Sequence, residues 1–248
     1  MRRARFLAHG RIHEGTVAED GRLLDEAGRA TDEQAVVWLP PVDPPKAIGL
    51  ALNFADHAGE LELATPEAPA LFFKPKTSLI GHRQPIVAPR GVQYMHYEAE
   101  LVAVIGRRGR KIRAGDAMEY VRGYTIGNDF TIRDFVGNYF RPPVKAKGMD
   151  TFGPLGPWVV EGEIEDPNHL ELRTFVNGEL RQSGNTELFV HKIPQIIEFV
   201  SDFMTLEADD LIWTGTPKGI SHVYPGDLIR IEIDRIGALE NSVIEELT

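Results

Sequence analysis

Residues 94–106 read YMHYEAELVAVIG, a short apolar run from Leu101 to Ile105 that is entered through two glutamates and closed by Gly106. A run of this length bounded by a turn residue suits a β-strand. Extended backbone turns alternate side chains to one face, so Glu98 and Glu100, two positions apart, share a face. Paired like charges on a strand that heads into a core are costly unless a cation or a proton compensates. From the pair alone two readings stand: a buried pair that holds a cation, or an exposed edge strand with solvated acids.

Outward from this stretch the strand content stays high. Strands are expected at 123–129 and at 228–234, the second with Ile229, Ile231 and Ile233 on one face. The run KAIGLAL (46–52) reads as a further strand that passes through a loop into a short helix over 53–63. Asn177–Gly178 between extended runs is a hairpin signal, because both turn positions need a positive φ. One long helix is expected over 193–204, with Ile193, Ile196, Ile197, Val200, Phe203 and Met204 on one stripe against the sheet and Pro194 in its first turn. Before about residue 38 the chain reads as short strands and turns, and Pro40, Pro41, Pro44 and Pro45 mark a joint. These patterns predict a mainly β protein with a few helices, a small N-terminal β domain over 1–45 and a larger domain over 46–248.

The 248 residues suffice for a sizeable core without staples. There is no cysteine, which excludes disulfides, thiolate metal sites, iron–sulfur clusters and thiol nucleophiles. A formal charge of −10 argues against nucleic acid or an anionic membrane as partner and leaves a small molecule. The opening MRRARFLAHGRIHEG is basic but has no apolar core of signal-peptide length, and no eighteen-residue apolar run occurs, so a cytoplasmic location is expected.

A third carboxylate, Asp129, ends the extended run GYTIGND, where a strand end can point a side chain into a cleft. Three oxygen ligands suit a hard cation, Mg²⁺ or Mn²⁺, that keeps positions open for water or substrate. His57 and Glu60, at i and i+3, share a helix face and can form an acid–base dyad, though a surface histidine near a helix start is the commoner case. Arg133 follows Asp129 by four residues, and Lys147 precedes a glycine and a proline-rich turn; both can meet an anionic substrate or stand as ordinary surface charges. Burial of Lys147 is expected to lower its pKa and let it exchange protons. The loop WTGTPKGI (213–220) can bring backbone amides to an anion, or can be a tight turn; it lacks the spacing of a nucleotide-binding loop.

Together YEAEL (97–101), YTIGNDFTIRD (124–134), KGMDTFGPLGP (147–157) and TGTPKGI (214–220) resemble the fumarylacetoacetate hydrolase family in order and approximate spacing, over about residues 46–248. Residues 133–157 and LRTFVNGELRQSGNT (172–186) resemble its homoprotocatechuate branch, whose members decarboxylate 5-oxopent-3-ene-1,2,5-tricarboxylate and isomerise 2-hydroxyhepta-2,4-diene-1,7-dioate. Some members carry two tandem copies of the domain where this chain has one, which leaves open whether it performs both reactions. The resemblance implies a β-roll of mixed sheets and a homodimer. It also implies Mg²⁺ (or Mn²⁺) on Glu98, Glu100 and Asp129, with substrate contacts from Arg133, Lys147 and Thr216. His57 with Glu60 matches the family's mobile acid–base element, and Tyr139, Arg141 and Lys218 are expected near the carboxylates of a small 2-oxo or 2-hydroxy polycarboxylate. In this scheme the metal stabilises an enolate while Lys147 or the dyad moves a proton. Two alternatives remain at this stage: a hydrolase of acylpyruvate or fumarylacetoacetate type, and a non-catalytic partner subunit.

Overall fold

The computed structural model describes residues 1–136 and 142–247. Among them the chain is mainly β: a mixed twelve-stranded sheet, a five-stranded sheet and a two-stranded ribbon, with few helices. The strand Ala99–Ile105 is buried at all seven positions. It lies between Val121–Asn128 and Leu211–Trp213, antiparallel to both, and Leu211–Trp213 in turn runs parallel to Ala47–Ala51. Burial on both faces explains why this strand reads as one continuous apolar run.

The expected single strand through Glu98 is broken. Met95–His96 pairs with Thr131–Ile132 as the separate ribbon, and the long strand starts only at Ala99. The Glu98 amide donates to Asn128 Oδ1 at 3.0 Å, so a side chain takes the place of a ladder partner. Asp129 restores the pairing by donating its amide to the Glu98 carbonyl at 2.9 Å. Glu98 thus sits in an irregular joint, free to turn its carboxylate towards that of Glu100 rather than being held to the strict alternation of a ladder.

The hairpin forms as expected, between Glu171–Val176 and Glu179–Asn185, with φ of 51° at Asn177 and 82° at Gly178. Leu228–Ile233 buries Ile229, Ile231 and Ile233. The long helix spans Ile193–Phe203 and buries Ile193, Ile196, Ile197 and Val200 in the main core. Its stripe is narrower than expected: Phe203, at the helix end, is 53% exposed and leans on Phe199. Beside the core, the helix is fastened to the segment before the 3-10 turn Ala114–Tyr120, where Ile112 donates its amide to Ser201 Oγ at 2.9 Å.

The N-terminal strands Arg2–Ala8, Arg11–Val17 and Val37–Leu39 close a small core around Phe6, Leu23 and Trp38. Arg2–Ala8 also pairs with Gly153–Glu161 at Arg2–Val160, so these strands continue the large sheet. At the other edge lies Ala70–Lys74, whose last residue points into the site described below.

One glycine fixes the approach of two site-bearing segments. A Cβ on Gly127 would lie 2.4 Å from the Trp213 ring and 2.7 Å from Val102. Trp213 is fully buried and immediately precedes the TGTPKG loop. Gly127→Ala is expected to destabilise the fold by about 1–3 kcal/mol through overpacking, read as a lower denaturant midpoint. An unchanged midpoint would show that the ring has room to move.

Candidate active site

Glu98, Glu100 and Asp129 converge: each offers an oxygen, and the three oxygens lie within 4.8 Å of one another. All three side chains are buried. A hard cation with metal–oxygen distances near 2.1 Å spaces its ligand oxygens by up to about 4.2 Å. The all-oxygen donor set therefore fits a magnesium-like ion after a shift of a few tenths of an ångström. A second acidic group, His13, Asp25 and Glu26, is a weaker candidate: Asp25 and Glu26 already accept hydrogen bonds from Arg29, Ala27, Glu14 and His13.

Two ammonium groups neutralise the carboxylates. Lys147 Nζ donates to Glu98 Oε2 at 2.8 Å, to Asp129 Oδ2 at 2.5 Å and to Thr131 Oγ1 at 2.9 Å. Lys74 Nζ, fully buried, donates to Asp129 Oδ1 and to the Lys147 carbonyl, each at 2.6 Å. Lys74 thereby ties a candidate ligand to the short helix Val144–Lys147. Sequence reading missed it, because a lysine at the end of an edge strand and before a proline has the look of a surface residue.

These charges set the titration of the site. Burial raises the Glu98 carboxyl, but Lys147, with smaller help from His96 and His57, brings it down to about 2. Burial raises Glu100 well above the usual carboxylate range, and the nearby Asp129 and Glu98 add to this; one of its oxygens accepts the Gly215 amide at 2.8 Å. For Lys147 the expected lowering is corrected. Burial does pull it down, but Asp129 and Glu98 outweigh burial and hold it above the ordinary lysine value. Lys147 is therefore held in its protonated form.

Glu98 supplies a pH test. A carboxyl held below its unfolded value stabilises the protein above that value and stops doing so as pH falls through the folded value. In EDTA the stability advantage of wild type over Glu98→Gln should be present above pH 4.5 and shrink between 4.5 and about 2. Parallel unfolding curves of the two proteins across that window would contradict the Lys147 pairing.

The dyad forms. His57 Nδ1 lies 2.9 Å from Glu60 Oε2 on the helix Ala55–Glu60, and Glu60 Oε1 accepts the Gly219 amide at 2.9 Å, joining the helix to the TGTPKG loop. Asn53, just before the helix, donates to the carbonyls of Thr214 and His191 and accepts the His191 amide, so it is a clamp. Arg133 reaches Glu98 at 3.8 Å. Thr216 is buried in the loop, and Lys218 is exposed beyond it. Tyr139 and Arg141 lie outside the described residues.

Two further site neighbours were not anticipated. His96 is fully buried, with Nδ1 3.6 Å from Glu98 Oε1, and burial lowers its pKa to about 4, so it stays neutral. Its spacing two before Glu98 was the available signal. Gln182, on the hairpin, bonds to the segment between the two glutamates and to the loop at Thr216.

The chain that carries this buried trio of carboxylates and the histidine–glutamate pair has close relatives among known proteins. Residues 46–244 match the family described as fumarylacetoacetate (FAA) hydrolase C-terminal, and the chain belongs to that family. The 4-hydroxyphenylacetate degradation bifunctional isomerase/decarboxylase of Salmonella dublin is 46% identical over 247 residues, which are 98% of this chain and 56% of that protein. The chain spans about half the length of the curated isomerase/decarboxylases it matches. The 5-carboxymethyl-2-hydroxymuconate delta-isomerase from Mycobacterium smegmatis superposes with a TM-score of 0.90 at 38% identity, over the whole of both chains. Maleylpyruvate hydrolase from Sphingobium sp. SYK-6, solved with manganese(II) and pyruvate, superposes with a TM-score of 0.85 at 30% identity, again over both whole chains. No described helix is long and apolar enough to cross a membrane.

Proposed function

We propose that the chain is a metal-dependent enzyme of aromatic catabolism that decarboxylates 5-oxopent-3-ene-1,2,5-tricarboxylate, isomerises 2-hydroxyhepta-2,4-diene-1,7-dioate, or does both, in the cytoplasm and as a homodimer. The observation that carries this reading is the convergence of Glu98, Glu100 and Asp129 in a chain so similar to isomerase/decarboxylases. These three residues would hold Mg²⁺ or Mn²⁺, with Mg²⁺ the natural choice for an all-oxygen set. Held there, the ion would supply Lewis-acid polarisation of a substrate carbonyl.

The remaining steps belong to the side chains. Lys147, kept protonated by Glu98 and Asp129, delivers a proton to carbon. His57 donates a hydrogen bond from Nδ1–H to Glu60, which leaves Nε2 as a base able to take a proton from the substrate. Arg133 and Thr216 contact the substrate, and Tyr139, Arg141 and Lys218 are assigned to its carboxylates.

The maleylpyruvate hydrolase match favours one second reading, a C–C bond hydrolase in which the His57–Glu60 pair activates water against a carbonyl. Product analysis separates the two. With Mg²⁺ and the tricarboxylate, carbon dioxide and one organic product are expected; two organic products from an acylpyruvate, with no carbon dioxide from the tricarboxylate, would establish the hydrolase instead. His57→Ala should lower turnover by about 10²–10⁴-fold with metal affinity unchanged. A large fall in metal binding would contradict its role as the base.

A further inference from the structure

We propose that Gln182 is a positioning residue that aims the Thr216 hydroxyl proton at the bound substrate; this rests on the substrate contact assigned to Thr216 above. Gln182 is 2% exposed and uses its whole amide. Its Oε1 accepts from Thr174 Oγ1 at 2.9 Å and lies 3.4 Å from the Ala99 amide, between the two glutamates. Its Nε2 donates to the Pro217 carbonyl at 2.8 Å and to Thr216 Oγ1 at 2.9 Å.

Two of these partners cannot change role. The Ala99 backbone N–H can only donate and the Pro217 C=O can only accept, so the amide has one permissible orientation. Nε2 therefore faces Thr216, and the hydroxyl must act there as acceptor. A threonine hydroxyl has a single proton, and with one lone pair taken by Gln182 that proton is left for another acceptor. Among the described residues none accepts it. Immediately before Thr216 the Gly215 amide is fixed to Glu100, and immediately after it the Pro217 carbonyl is fixed to Gln182, so the hydroxyl is carried on backbone pinned on both sides. A carboxylate or enolate oxygen of an anionic substrate is the acceptor this arrangement suits, since a hydrogen bond to a charged oxygen is stronger than a neutral one.

The test is a double-mutant cycle on the Mg²⁺-loaded protein, with oxalate as a mimic of the enolate and calorimetry as the readout. Thr216→Val and Gln182→Met should each weaken oxalate binding by about tenfold to a hundredfold, the loss of one hydrogen bond to a charged group. The double variant should bind no worse than Thr216→Val alone, while Thr216→Ser, which keeps the hydroxyl, stays near wild type. Mg²⁺ affinity should be unchanged throughout, as a merely structural loss would not leave it. Should Gln182→Met not fold, Gln182→Glu keeps the size and offers at most one donor where the amide offers two, so it should show the same loss.

Losses that multiply in the double variant, or single variants that bind as wild type, would overturn the role of Gln182 while leaving the proposed reactions standing. Oxalate binding that follows the cycle in a protein inactive on both proposed substrates would keep the role and remove the proposed reactions. An unmutated Mg²⁺-loaded protein that ignores oxalate would overturn both.

Discussion

Asp129→Ala should lower metal-dependent turnover by about three orders of magnitude, because it removes both a proposed cation ligand and the partner of two buried ammonium groups. The other two carboxylates cannot make up the loss. Glu100 is already pushed towards its protonated form by burial, and Glu98 is engaged by Lys147. The fold should survive at reduced stability, since Lys74 and Lys147 are left facing each other with one carboxylate fewer between them. Steady-state rates with added Mg²⁺, beside a thermal melt to show that the protein is folded, test this. Turnover within tenfold of wild type would remove Asp129 from the site.

Lys74→Met should be the most destabilising single change in the site when metal is withheld. Taking one partner from a buried ion pair leaves an uncompensated charge and costs about 3–5 kcal/mol. Here Asp129 Oδ1 and the Lys147 carbonyl lose their donor together. For a chain of this length a loss of that size lowers Tm by about 10 °C. Methionine keeps most of the aliphatic stem and loses the ammonium that lies 5.5 Å from the Trp213 ring centroid, so the change tests the charge more than the volume. Added Mg²⁺ should recover part of the loss, since a cation that binds only the folded state stabilises it and here restores the missing positive charge. A melt in EDTA that matches wild type would show that Asp129 is compensated by another route.

The β content, the hairpin at Asn177–Gly178 and the buried stripe of the long helix were legible because each follows from local periodicity or turn chemistry. The three carboxylates were legible for a related reason: acids beside an apolar run are locally improbable and stand out. What depended on contacts between distant segments was not legible. Lys74 meets Asp129 across 55 positions and Gln182 meets Thr216 across 34, and nothing local to either residue announces this. Gln182 and Thr174 did leave a trace, as two polar residues at inward positions of a hairpin, where a polar side chain must find partners. The expected pKa of Lys147 went astray because burial was weighed without the two carboxylates that accompany it. The break at Glu98 was hidden for the opposite reason, since the side chain of Asn128 imitates a backbone partner.

The proposed function rests on a divalent cation held by the buried trio, and manganese(II) reports on it directly by electron paramagnetic resonance. Protein stripped with EDTA and titrated with Mn²⁺ should bind one ion per chain, seen as loss of the free-ion signal, with Mg²⁺ competing for the same place and Glu100→Gln abolishing it. Tight binding that persists unchanged in Glu100→Gln, or no binding by the unmutated protein, would contradict the assignment of the three carboxylates.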